Sequence, residues 1–153
     1  MSHTSRFLRC TPDDVFDVLA DGWSFASWVV GAARIREVDD TWPEPGSRIH
    51  HSVGLWPLLL DDTTSVLSID RPRSIELKVR AWPTGEGMVR LECTVEEGGT
   101  RVVMTEQATD GPAKLIPRLV QDPLLDARNT EALRRLAHLA ERRSAESRLP
   151  GNG

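Results

Sequence analysis

The stretch from Asp122 to Arg143, DPLLDARNTEALRRLAHLAERR, constrains the fold most. Leu125, Asn129, Leu133, Leu136 and Ala140 recur at spacings of four, four, three and four, which places them on one face of a helix. The opposite face carries Arg128, Glu131, Arg134, Arg135, Glu141 and Arg142, with Glu131 and Arg135 an i, i+4 ion pair. Asp122 is placed to cap this helix, and Pro123 suits its first position, where a missing N–H costs nothing. A helix of this length is not stable on propensity alone, so its apolar stripe needs a surface to cover.

The preceding chain supplies that surface. Residues 3–10 read as a short strand. Thr11-Pro12-Asp13-Asp14 is a helix start, with a Thr cap, a Pro and acids in the first turn. Asp21-Gly22 ends that helix, and a second short one is expected from Ser24 to Val30. From Ala33 the period changes to two. Strands are expected at 34–38, 48–56, 58–69, 75–82, 89–95 and 101–108, with His51 beside Ile49, Val53 and Leu55 on one face, and Leu67 sharing a face with Ile69. Glu97-Gly98-Gly99-Thr100 is a hairpin signal. Short turns between one-sided strands imply an antiparallel sheet with one buried face, which is left for the C-terminal helix to cover. Residues 1–143 therefore read as one domain, and 144–153 as a flexible polar tail.

Composition narrows the function. The 153 residues carry a net charge of −4 with mixed signs, which argues against a dedicated nucleic-acid binder. The only cysteines are Cys10 and Cys93, so neither a disulfide framework nor a zinc motif is implied. No apolar run approaches the ~18 residues of a membrane span, and no signal-peptide core opens the chain; stable membrane insertion is not expected, and cytoplasmic residence follows as the default. No metal site, phosphate cradle or GxSxG nucleophile turn is found, and no cofactor is expected. The chain reads as a monomer or a homodimer, and the sequence does not choose between them.

Four segments resemble one superfamily: Thr11-Pro12-Asp13-Asp14-Val15-Phe16, Trp28-Val29-Val30-Gly31, Trp42-Pro43-Glu44-Pro45-Gly46-Ser47 and Arg128-Asn129-Thr130-Glu131-Ala132-Leu133. Over roughly residues 3–142 the chain resembles the START/birch-pollen-allergen (SRPBCC) superfamily, closest to its bacterial polyketide cyclase/dehydrase-like branch. The resemblance implies an α+β helix-grip fold. In it a curved antiparallel sheet of about seven strands wraps a long C-terminal helix, with two short helices after the first strand. It also implies a cavity for an apolar ligand. It implies no single activity, since the family spans lipid carriers, receptors, aromatic cyclases and chaperone regulators. The chain lacks the glycine-rich loop of the plant members; Trp42 to Gly46 stands there instead.

Within that frame a few residues bear on chemistry. Glu106 shares strand parity with Val102 and Met104, so it is an inward carboxylate unless a bulge turns it out. His51 is either a core histidine or an acid–base group. Asn129 is an amide on the buried helix face and needs partners. Trp23, Trp28 and Trp56, with Cys93 and Met104, are candidate cavity walls, and Trp82 falls on the polar face of its strand. Three functions stay open: binding of a small hydrophobic or aromatic ligand by Trp23, Trp28, His51, Trp56, Cys93, Met104, Glu106 and Asn129; a polyketide cyclase/dehydratase-type enzyme using His51 and Glu106; and a protein-interaction module with a filled core. Two inward groups, His51 and Glu106, are expected to titrate as a coupled pair.

Overall fold

A computed structural model describes residues 2–30, 32–53, 60–81, 85–115 and 117–149. Trp56, Trp82, the end of the expected 48–56 strand and the start of the expected 58–69 strand lie outside these residues. Seven strands form one antiparallel sheet: β1 (Ser2–Leu8), β2 (Ala32–Val38), β3 (Arg48–Val53), β4 (Leu60–Asp70), β5 (Ser74–Ala81), β6 (Gly85–Glu96) and β7 (Gly99–Asp110). Their order is β1-β7-β6-β5-β4-β3-β2, so the first two strands lie at opposite edges. Between them run α1 (Pro12–Ala20), a 3-10 turn at Gly22–Ser24 and α2 (Phe25–Trp28). The long helix α3 (Arg118–Ser147) follows a 3-10 turn at Pro112–Leu115. Curved sheet, long C-terminal helix and short helices after the first strand make this the helix-grip fold.

Local chemistry accounts for the elements. Thr11 and Asp14 form a capping box: the Asp14 N–H donates to Thr11 Oγ1 (3.2 Å), and the Thr11 N–H donates to Asp14 Oδ2 (3.0 Å). Val15, Phe16, Val18 and Leu19 are the buried side of α1. The β6–β7 hairpin turns at Gly98, whose φ of +81° is the left-handed region that glycine adopts freely. At Gly99 a Cβ would lie 2.1 Å from the carbonyl oxygen of Leu8, so β1 approaches β7 only because the side chain is absent.

Helix α3 begins earlier than the sequence pattern implies. It starts at Arg118 behind Pro117, and Pro123 lies inside it rather than at its first position. Its first turns leave Leu119, Val120 and Leu124 exposed, so no apolar periodicity announces them. It also runs beyond Arg143 to Ser147, with Ser144 buried and Ser147 Oγ donating to the Ser144 carbonyl (2.9 Å). The buried face is Asn129, Ala132, Leu133, Leu136, Ala137 and Ala140.

One strand departs from simple alternation. The expected Leu67–Ile69 face is broken by a register shift between Val66 and Ser68. Val66 is buried and Leu67 is exposed, while Ile69 packs against the core. A bulge adds one residue and reverses strand parity, which alternation alone does not reveal.

Candidate functional site

Antiparallel register assigns the inward face, because directly paired residues share a side. Cys93 pairs with Val102; Met104 with Leu91, which pairs with Ile75; and Glu106 with Val89, followed by Leu77 and Val66. All the apolar members of these rows are buried. They form a continuous apolar wall across β4 to β7, facing α3.

Glu106 lies at the end of one row, opposite Ser2 of β1. Its side chain is 13% exposed and pairs with the Arg128 guanidinium of α3. The helical wheel puts Arg128 on the outer face, but its stem is long enough to reach the strand. Beside it, Ser2 Oγ donates to the Asp126 carboxylate. Asn129 lies one turn further along α3, 3% exposed, and its Nδ2 has no hydrogen-bond partner.

His51 sits on the other arm of the sheet, 1% exposed. Its Nε2 meets Thr64 Oγ1 at 2.9 Å, while Nδ1 has no partner. The ring stacks on Phe25 of α2 (5.7 Å, 20°), and Phe25 meets Trp28 edge-on (5.6 Å, 72°). Burial lowers the His51 pKa from 6.5; Asp62, its cross-strand partner, pulls it up, and Arg36 and His50 push it down. Asp62 Oδ1 accepts from the Thr63 N–H (2.9 Å). His50 points outward to Asp39 (3.2 Å).

The expected His51–Glu106 pair is not assembled. The two sit on β3 and β7, with three strands between them, and each has its own partner. The charges acting on His51 are Asp62, Arg36 and His50. Trp28 is buried against Phe25, whereas Trp23 is 61% exposed and turned away from the interior. In the Gly22–Ser24 turn the buried residue is Gly22, packed under Val38 and Trp42, which leaves its neighbour Trp23 on the outside. Cys93 and Met104 are on the inward wall, and burial pushes the Cys93 thiol up to about 12. Asp62, Thr64, Phe25, Thr4 and Arg128 complete these surroundings and were not singled out by the sequence. For Thr4 the signal was available: it shares parity with Ser2 and Leu8, both buried. Among the described residues no cluster of His, Cys, Asp or Glu is arranged to hold a metal ion, and no helix is long and apolar enough to cross a membrane.

A helix-grip sheet with an apolar inner wall and a few buried polar groups defines the class of protein. A family model described as "Polyketide cyclase / dehydrase and lipid transport" matches residues 2–141. The chain belongs to that family, within the SRPBCC superfamily. No curated protein matches it in sequence. Among solved structures it is similar to protein NE0264 from Nitrosomonas europaea (TM-score 0.67, 16% identity, 94% of this chain and 95% of that chain). It is also similar to Ara h 8.0201 (TM-score 0.68, 12% identity, 90% and 95%). The di-domain ARO/CYC StfQ from the steffimycin biosynthetic pathway matches with TM-score 0.65 and 14% identity. That match covers 95% of this chain but 50% of StfQ. At these identities the likeness is one of fold.

Proposed function

We propose that the protein binds a small hydrophobic or aromatic molecule between the sheet and α3. The observation that supports this most is the inward wall itself. Val66, Leu77, Val89, Ile75, Leu91, Met104, Cys93 and Val102 make the inward side of four strands apolar. The carboxylate at the β7 end of that wall, Glu106, is already matched by Arg128. Apolar surface with few polar groups is the chemistry of a site that holds its ligand by burial, at about 25 cal/mol per Å2 removed from water. Native mass spectrometry of the purified protein tests this, together with titration of the uncharged fluorophore N-phenyl-1-naphthylamine. A co-purifying small molecule, or saturable fluorescence enhancement, is the expected outcome. Apoprotein mass alone with no enhancement sinks the reading in favour of a filled core.

A cyclase-type enzyme has one observation in its favour. His51 Nδ1 is unpartnered, and burial favours the neutral ring, the form able to accept a proton. Cyclised product from a linear poly-β-ketone thioester, lost in His51→Gln, would support it. Turnover equal in the two proteins would exclude His51 as the base.

A further inference from the structure

Three buried side-chain atoms among the described residues have no hydrogen-bond partner: Thr4 Oγ1, His51 Nδ1 and Asn129 Nδ2. Buried polar groups are nearly always satisfied, so each exception calls for a water or a ligand. Two of the three lie on adjacent elements, Thr4 on β1 and Asn129 on α3. Ser2 Oγ donates to Asp126 and the Arg9 N–H donates to Glu141 (3.0 Å), so β1 runs alongside α3 in the same direction. The step from Ser2 to Arg9 spans about 23 Å of strand, and that from Asp126 to Glu141 about 22 Å of helix. On this common scale Thr4 lies about 7 Å beyond Ser2 and Asn129 about 4.5 Å beyond Asp126, so the two fall within about 2 Å of one level. Thr4 also shares the inward side of the sheet with Ser2, Leu8 and its cross-strand neighbour Met104.

Asn129 Nδ2 can only donate, and a threonine hydroxyl can donate as well. Two donors at one level suit a single acceptor oxygen with two lone pairs. The charges nearest to them are already used: Glu106 is held by Arg128, and Asp126 accepts from Ser2. A ligand carboxylate buried here would lack a counter-ion of its own and would face two acidic side chains. From this we infer that Thr4 and Asn129 are a specificity pair that selects an uncharged ligand carrying a carbonyl-type oxygen. The inference rests on the ligand-binding reading above and names the ligand class for the same interior.

The test is displacement of N-phenyl-1-naphthylamine by three probes: 2-acetylnaphthalene, its oxygen-free isostere 2-isopropenylnaphthalene, and 2-naphthoate. The hydrocarbon leaves water more readily, so the readout is the ketone-to-hydrocarbon affinity ratio in each protein rather than either affinity alone. Thr4→Val and Asn129→Leu remove the polar atoms with little change of size, and thermal melts confirm that both variants fold. The ratio is expected to fall about fivefold in each variant, the size of one net hydrogen bond. In the wild type, 2-naphthoate is expected to be the weakest competitor. A ratio unchanged in both variants, with probe binding intact, overturns the inference alone and leaves water as the partner of the two groups. Naphthoate binding as tightly as the ketone overturns the uncharged class. Absence of any probe binding removes the ligand-binding reading and this inference with it.

Discussion

His51 is a buried imidazole whose cation has little to solvate it. Its surroundings are a phenyl ring, a threonine hydroxyl and, across the strand, Asp62. Burial dominates and lowers its pKa below 6.5, with Asp62 opposing and Arg36 and His50 reinforcing the shift. The linkage follows from proton counting. Above pH 6.5 both folded and unfolded rings are neutral, and the stability is fully present. As pH falls below 6.5 the unfolded ring takes up a proton first, so stability is lost until pH passes through the lower folded pKa. Urea unfolding between pH 7 and 5 should therefore show a steeper loss for the wild type than for His51→Gln, which can keep a bond to Thr64. Parallel pH profiles would mean that the folded ring accepts its proton as readily as the unfolded one. The inward parity of His51 was readable from its aliphatic neighbours two residues to either side. Its partners were not, because Thr64 lies on β4, whose alternation is interrupted by the bulge after Val66.

At the scale of the element, α3 shows both what a periodic pattern reveals and where it stops. Leu133 and Leu136 announce a buried face because every third or fourth residue around them is apolar, and both are buried as that spacing implies. Leu136→Ala should cost about 2–5 kcal/mol, as for other fully buried leucines. Leu119 is equally apolar but 90% exposed, so Leu119→Ser should change stability by less than about 0.5 kcal/mol. Chemical denaturation of the two variants separates these cases, and a large loss at Leu119 would mean that the first turns of α3 are covered. The sequence concealed those turns for the same reason. Leu115, Leu119, Val120 and Leu124 are exposed, so they mark no buried stripe, and Pro123 reads as a start when it is an interior residue. Register was similarly hidden where the chain bulges. Glu106 was placed by parity alone, yet its partner Arg128 was assigned to the opposite helical face, because a wheel records where a side chain leaves the helix and not how far it reaches.

Over the whole molecule, the sheet has two open edges of unequal character. Strand β1 is an edge by hydrogen bonding, but α3 lies along it: Ser2 and Leu8 are buried, and both ends of the strand are tied to the helix through Asp126 and Glu141. Strand β2 is the other edge. Its pairing with β3 contains two register shifts, and Arg34, Arg36 and Glu37 face solvent, while Ile35 and Val38 are partly buried against the core. Local opening follows buried contact rather than position in the sheet. Opening β1 requires breaking its ladder to β7 and lifting α3, which approaches global unfolding. Opening β2 breaks one irregular ladder and does not require the long helix to lift. Native-state hydrogen exchange should accordingly find the β1 amides bonded to β7 protected almost to the global limit. The β2 amides bonded to β3 should exchange at least about a hundredfold faster, a difference of roughly 2.7 kcal/mol in opening free energy. Equal protection at the two edges would show that the helix contributes nothing to holding β1. The same contrast bears on how the interior is reached: a fluctuation at the β2 edge leaves the Thr4–Asn129 level of the molecule intact, so entry from that side would not disturb the polar groups proposed to orient the ligand.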